Sequence, residues 1–201
     1  MAKLAVVYHS GYGHTQKVAE AVVKGVRSVQ GTQVELIPVE ALGSETAEGW
    51  KSLDQADGII FGSPTYMGGV SGPFKTFIDA TSVVWSRQGW KDKIAAGFTI
   101  SGSYSGDKLN TLFQLMVNAM QHGMIWVSTG LMPGGDGKSY AGPEVVNRIG
   151  GSAGLMTQAF QDSPEITPPK GDLDTGELFG QRVAEITKQF VAGRRLEARV
   201  A

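Results

Sequence analysis

The sequence predicts an α/β fold: an open, five-stranded parallel sheet with helices on both faces, in a single domain spanning residues 1–201. Three observations carry this expectation. Short apolar runs rich in β-branched residues recur along the chain, the pattern of strands buried on both faces. Amphipathic helical patterns lie between several of them, and such alternation builds a parallel sheet covered on each side. Glycine-rich, hydroxyl-rich loops follow the first, third and fourth runs. In such sheets ligands bind beyond the carboxyl ends of the strands.

The first strand is read at Leu4–Tyr8. The helix after it, Thr15–Val29, places Val18, Val22, Val26 and Val29 on one face, with Lys17, Glu20, Lys24 and Arg27 mostly elsewhere. Strands follow at Val34–Val39 and Gly58–Phe61. A helix at Pro73–Thr81 carries proline in its first turn, where the missing N–H costs nothing. A fourth strand at Ala95–Ile100 precedes a helix at Asp107–Gln121, with Leu109, Leu112, Phe113, Met116 and Met120 at helical spacing and Asp107 as N-cap. The fifth strand is read at Met124–Ser128 and a final long helix at Thr175–Leu196. The stretch 132–170, rich in Gly and Pro, breaks the alternation. It is too long for an idle loop and reads as an insertion with a role or a partner contact.

Composition removes several function classes. The chain has no cysteine, which excludes a disulfide scaffold, a thiolate metal site and a cysteine nucleophile. Its 18 basic and 19 acidic residues leave a net charge of −1, without the basic excess of a nucleic-acid binder. No run approaches the ~18 apolar residues of a membrane span, so no membrane insertion is expected. The chain opens directly on a strand-like segment, without a signal-peptide pattern, and a cytoplasmic location is expected. The three histidines, His9, His14 and His122, form no metal-binding spacing, so no metal is expected. Glycine, at 28 of 201 residues, is about twice its usual ~7% share and clusters in the loops, where it marks special backbone geometry.

The stretch "YHSGYGHT", Tyr8–Thr15, joins the first strand to the first helix. It is not a dinucleotide fingerprint: Gly11 and Gly13 match, but Gln16 stands where the third glycine belongs. Nor is it a P-loop. A later "MPGGDGKS" mimics one at Gly137-Lys138-Ser139, but Met132 replaces its first glycine. What remains is a turn in which Ser10, Tyr12 and Thr15 offer hydroxyls and His14 a ring N–H, beside the free N–H groups of a helix N-terminus. With no Lys or Arg in the loop, this suits a phosphate monoester held by neutral donors; the alternative is a turn whose Ser and Thr only cap the helix. The loops "GSPTYMGGVSGP" and "SGSYSGD" should emerge at the same edge, giving a planar ring backbone on both sides.

Together, "VVYHSGYGHTQKVAEAV", "GIIFGSPTYMGGVSGPFKTFID" and "NAMQHGMIWVSTG" resemble three landmarks of flavodoxin-fold proteins, and specifically of WrbA-type NAD(P)H:quinone oxidoreductases. The resemblance implies a strand order of 2-1-3-4-5, FMN as cofactor and NAD(P)H as electron donor. It assigns Ser10, Gly11, Tyr12, Gly13, His14 and Thr15 to the FMN phosphate. Pro64, Thr65, Tyr66, Met67, Gly68 and Gly69 would meet the ring edge. Ser101, Gly102, Ser103, Tyr104, Ser105, Gly106 and Asp107 would close the other side. It places His122 beside a flavin as the catalytic candidate, donating to a quinone oxygen, and Trp85 in the substrate pocket; Trp90 reads as packing. WrbA-type chains often carry arginine where Tyr66 stands and have a longer segment than Glu40–Gln55, and beyond Thr129 the likeness is loose.

The function expected is two-electron transfer from NAD(P)H to a quinone or similar flat acceptor, in ping-pong order at one shared site. A flavodoxin-like electron carrier is the alternative, disfavoured by the balanced charge because docking carriers usually show acidic excess; a flavin-binding regulatory protein is a third. A homo-oligomer, dimer or tetramer, is expected. His122, in a turn between a helix and a strand, should sit at the opposite sheet edge from the three loops. A flavin contact then requires a neighbouring subunit's flavin or a bend in the chain.

Overall fold

The computed structural model describes residues 1–44, 46–134 and 142–200. Its elements are β1 (Ala2–Tyr8), α1 (His14–Arg27), β2 (Thr32–Pro38), a 3₁₀ turn (Val39–Leu42), α2 (Glu48–Gln55), β3 (Gly58–Tyr66), β4 (Gly69–Val70), α3 (Gly72–Ala80), α4 (Ser82–Ser86), β5 (Ile94–Ser101), α5 (Lys108–Gln121), β6 (Ile125–Trp126), β7 (Leu155–Gln158) and α6 (Lys170–Val200). The sheet runs β2-β1-β3-β5-β6, the order implied by the resemblance once β5 and β6 are counted as its fourth and fifth strands. Val6 pairs with both Leu36 and Ile60, and Ile60 with Ala96, all in parallel.

Alternation along β1 separates two cores. Leu4 and Val6 face Val18, Val22 and Val26 of α1 and Phe179 and Val183 of α6. Ala5 and Val7 face Leu53 of α2, Phe74 and Phe77 of α3, and Leu112 and Leu115 of α5. Two neighbours on a strand point to opposite faces, so a continuous apolar run supplies both.

The fifth sheet position differs from the Met124–Ser128 expectation. β6 pairs only with Ile94 and Ala95 of β5. β7, much later in the chain, pairs with Phe98–Ser101. One edge is thus filled by two short strands in line, and the stretch 132–170 contributes a strand. "LMTQ" has only four residues, and its partner is remote in sequence, so no local pattern reveals it. α2 likewise occupies Glu48–Gln55, the second half of the segment Glu40–Gln55, where no helix was expected. The Gly137-Lys138-Ser139 run lies outside the described residues.

α1 and α6 pack at backbone distance. A Cβ at Gly25 would lie 1.9 Å from the Glu177 carbonyl oxygen, and one at Gly180 2.1 Å from that of Val22. Gly25→Ala should therefore lower stability by about 1–3 kcal/mol as the helices are forced apart. Urea unfolding should show a lower midpoint at an unchanged denaturant slope.

Candidate functional site

Because β1, β3 and β5 are parallel and adjacent, the loops that follow them share one edge, and a cavity of about 1250 Å³ opens there. Tyr12, His14 and Thr15 line it from the first loop, Pro64, Thr65 and Tyr66 from the second, and Ser101, Gly102, Ser103 and Tyr104 from the third. A fourth wall, Gln158–Pro164, comes from β7 and the residues after it.

In the first loop the chain turns through Gly13 (φ 90°). Ser10 Oγ accepts hydrogen bonds from the Gly13 amide at 3.1 Å and the Gln16 amide at 3.2 Å, so Ser10 does cap the helix. Among the described residues no acceptor meets the amides of Gly11, Tyr12, His14 or Thr15, and the Thr15 hydroxyl, on a residue only 2% exposed, is likewise unpaired. His14 donates from Nε2 to the Asp162 carbonyl at 2.8 Å, since a carbonyl can only accept. Its ring N–H, expected to serve the loop, instead ties that loop to the fourth wall. Pro164 packs against Gly13, 2.8 Å from where a Cβ would stand, and Lys17 pairs with Glu165 at 2.7 Å.

The second loop is a hairpin. Thr65 pairs with Val70 and Tyr66 with Gly69, across a Met67-Gly68 turn in which both φ angles are positive (48° and 82°); that turn matches the strand twist. Thr65 Oγ1 bonds the hydroxyls of Thr99 and Thr111, each at 2.8 Å. Asn110 donates to the Gly68 carbonyl at 2.6 Å, and the Val70 amide to Gln114 at 3.0 Å. Tyr66 folds back over the first loop, edge-on to Tyr12 with centroids 6.5 Å apart. Its hydroxyl lies 2.5 Å from where a Gly11 Cβ would stand, so Gly11 is required to let the phenol in. Burial, with a smaller contribution from Tyr12, pushes the Tyr66 phenol up. Met67, Gly68 and Gly69 form the hairpin tip outside the cavity wall, with Met67 fully exposed.

The third loop is held from behind. Lys108, fully buried, donates to the carbonyls of Ser103 at 2.6 Å and Tyr104 at 3.0 Å. Gln158 donates to the Gly102 carbonyl at 2.9 Å and accepts from Arg148 at 3.1 Å. Arg148 grips Asp172 in a two-pronged, buried pair at 2.7 and 3.1 Å, and Asp172 also accepts the Gln158 amide at 2.7 Å. The Arg148 guanidinium lies 5.6 Å from the Tyr104 ring centroid. Burial pushes the Asp172 carboxyl up against the pull of Arg148. Burial lowers the Lys108 ammonium to about 8; Asp172 opposes that shift and Arg148 adds to it. Asp107 stands at the N-cap position but in the left-handed region, without a side-chain cap bond. Ser105 and Asp107 line a neighbouring cleft of about 710 Å³.

His122 and Trp85 are not brought to this cavity. His122 caps the C-terminus of α5, and in a parallel sheet such helix-to-strand turns lie at the amino edge of the strands. The imidazole is 4% exposed, bonds the Thr81 hydroxyl through Nε2 at 2.9 Å and packs on Trp90 with centroids 4.6 Å apart. Burial lowers it below the usual histidine value, and Nδ1 has no partner among the described residues. His122 and Trp85 share a separate groove of about 670 Å³ with Phe113 and Val117. The fourth wall and the Lys108–Arg148–Asp172 cluster were absent from the sequence reading. The weak signal available was Arg148 and Asp172, isolated charges within or beside a Gly- and Pro-rich stretch.

The family model described as NADPH-dependent FMN reductase matches residues 6–136. Flavodoxin FldP of Pseudomonas aeruginosa (strain UCBPP-PA14) is 43% identical, over 96% of this chain and all of its own length. An NAD(P)H dehydrogenase (quinone) of Aromatoleum aromaticum is 30% identical over 96% of this chain and 99% of its own. A solved structure of a flavodoxin, WrbA-like protein from Agrobacterium tumefaciens matches with a TM-score of 0.74 at 42% identity, covering 94% of this chain and 99% of that one.

Removing one partner of a buried ion pair strands the other charge. Asp172→Ala should therefore cost about 3–5 kcal/mol, read as a fall in urea midpoint far larger than that of the exposed-pair variant Asp79→Ala.

Proposed function

The chain belongs to the NADPH-dependent FMN reductase family and is an FMN-dependent oxidoreductase with NAD(P)H as electron donor; we propose that its acceptor is a quinone and that donor and acceptor take turns at one flat site. The observation that carries the flavin site is the donor set at the start of α1: among the described residues, four amides without an acceptor beside the Thr15 hydroxyl, which lines the cavity, with no cation in the loop. Those groups fit a phosphate monoester, because amides at a helix N-terminus complement an anion without its having to be paired with a side-chain charge. The cavity that continues from them, walled by Tyr66, Tyr104 and Phe160, fits a flat aromatic ring.

When bound, FMN supplies the hydride-accepting ring. The chain's own part is to hold and orient it. In this reading the amides of Gly11, Tyr12, His14 and Thr15 and the Thr15 hydroxyl hold the phosphate. Pro64–Tyr66 and Ser101–Tyr104 flank the ring, and the hydroxyls linking Thr65, Thr99 and Thr111 fix those two loops relative to each other. Tyr66 lies over the first loop and the His14–Asp162 bond ties that loop to the fourth wall, so both substrates would meet the ring at the open end of one cavity. That geometry supports ping-pong order.

His122 and Trp85 enter through a neighbouring subunit. Their groove is lined by His122, whose Nδ1 is buried and without a partner among the described residues, and by half-exposed Trp85, Phe113 and Val117, an apolar patch of the kind that marks an interaction surface. We assign it to the flat site of an adjacent copy in a dimer or tetramer, with His122 beside the quinone; because the Thr81 hydroxyl donates to the Ile78 carbonyl, Nε2 carries the ring proton and Nδ1 is an acceptor. An electron-carrier role is favoured by the name of the 43%-identical relative and opposed by the balanced charge, 19 acidic against 18 basic residues.

Anaerobic mixing separates the two. The enzyme reading expects NADPH or NADH to bleach the FMN-loaded protein directly and benzoquinone to restore its full absorbance within the same number of turnovers; a carrier would stay oxidised until a separate reductase was added. In His122→Ala, FMN affinity should hold while reoxidation by quinone slows roughly 10- to 1,000-fold, the scale of one positioned proton-transfer group. Flavin reduction should change less. Wild-type rates in both halves would remove His122 from the site.

A further inference from the structure

Lys108 breaks two local rules at once. A lysine is almost never fully buried without a paired charge, and a cation at the first position of a helix opposes the helix dipole. Lys108 is 0% exposed and is the first residue of α5. Its hydrogen bonds go to the backbone carbonyls of Ser103 and Tyr104, in the third cavity loop. A hydrophobic residue there would avoid the desolvation cost, so the charge is retained for what it does to that loop.

The consequence is stereochemical. Both peptides are trans, and a trans peptide points its C=O and N–H in opposite directions. With the Ser103 and Tyr104 carbonyls turned inward to the ammonium, the amides of Tyr104 and Ser105 turn outward. Among the described residues neither has an acceptor. Tyr104 lines the main cavity and Ser105 the cleft beside it. The two peptide dipoles align with the charge behind them, so their positive ends face outward together.

We propose that Lys108 is a positioning residue for the flavin: its ammonium fixes the third loop so that the Tyr104 and Ser105 amides are presented as a pair of donors to the acceptor edge of the ring. The role rests on the flavin reading of the cavity. Donors aimed at an edge that gains electron density on reduction act as preorganised electrostatic stabilisation. Two charged neighbours act on the ammonium: Asp172 from α6 and Arg148 from the segment before β7; Arg148 in turn lies over the Tyr104 ring of the loop itself. Arg148 and Asp172 neutralise each other, leaving Lys108 as the net charge behind the loop. Burial holds that charge near a titration at about 8, so its effect on the loop should fade as pH rises past that value.

The test uses riboflavin, which lacks the phosphate and so reports on the ring loops alone, with FMN in parallel. Lys108→Met keeps the length of the side chain and removes charge and donors. It should raise the Kd of riboflavin and of FMN by the same factor, about tenfold for weakened charge-assisted donors. In the flavin-free protein, hydrogen exchange in residues 101–107 should quicken while that of α1 is unchanged. With the wild-type protein, riboflavin affinity should fall between pH 7 and 9; this measurement stands even if the variant fails to fold, and in a folded variant the same profile should be flat. A folded Lys108→Met with wild-type riboflavin affinity, or a flat wild-type profile, would overturn the role of Lys108 alone. A wild-type protein that binds neither flavin would overturn the flavin site itself.

Discussion

The parallel pairing of β3 with both β1 and β5 is the constraint from which the rest of the site follows. Tyr8, Gly62 and Phe98 lie side by side in that register, so the loops after all three strands emerge at one edge. Close pairing is possible because Gly62 has no side chain: a Cβ there would lie 2.0 Å from the Phe98 ring. The three loops need no long-range design to meet. Each has only to turn tightly, and glycines with positive φ at 13, 68 and 106 lie in the turns.

The segment between β6 and β7 supplies what the three loops cannot. A cavity at the edge of an open sheet is exposed on the side where the sheet ends. Here β7 extends the sheet beside the upper half of β5, and the chain beyond it crosses back to the first loop. The Arg148–Asp172 pair anchors that crossing, linking the segment to α6 and, through Gln158, to Gly102. Buried ion pairs add little net stability. This one is better understood as fixing a unique path for a chain otherwise rich in Gly and Pro. One set of buried charges therefore positions two walls of the cavity.

Much of this was legible in the sequence because it is local. Val18, Val22 and Val26 show the buried face of α1 by their spacing alone, and a Gly-rich turn between an apolar run and that helix marks a loop that lines the cavity. Asp107 looked like a side-chain cap, yet it adopts the left-handed region, because Gly106 and Asp107 together turn the chain back against Ser101. β7 was not legible: four residues carry no period, and their pairing partner is set by tertiary contact. Lys108 was hidden for the opposite reason. A lysine in a helical pattern reads as solvent-facing, and only its carbonyl partners reveal that it points inward. His122 was read, from its place between a helix and a strand, as lying at the far edge of the sheet, and by resemblance as a flavin neighbour; it lies at the far edge, in a groove with Trp85.

The central claim is that backbone amides and hydroxyls at the start of α1, with no side-chain cation, hold the phosphate of FMN. Isothermal calorimetry of the flavin-free protein with FMN and with riboflavin tests it most directly. The account predicts that FMN binds at least about tenfold more tightly, the scale of one charge-assisted hydrogen bond, with the difference carried by enthalpy. Equal affinities for FMN and riboflavin would contradict it.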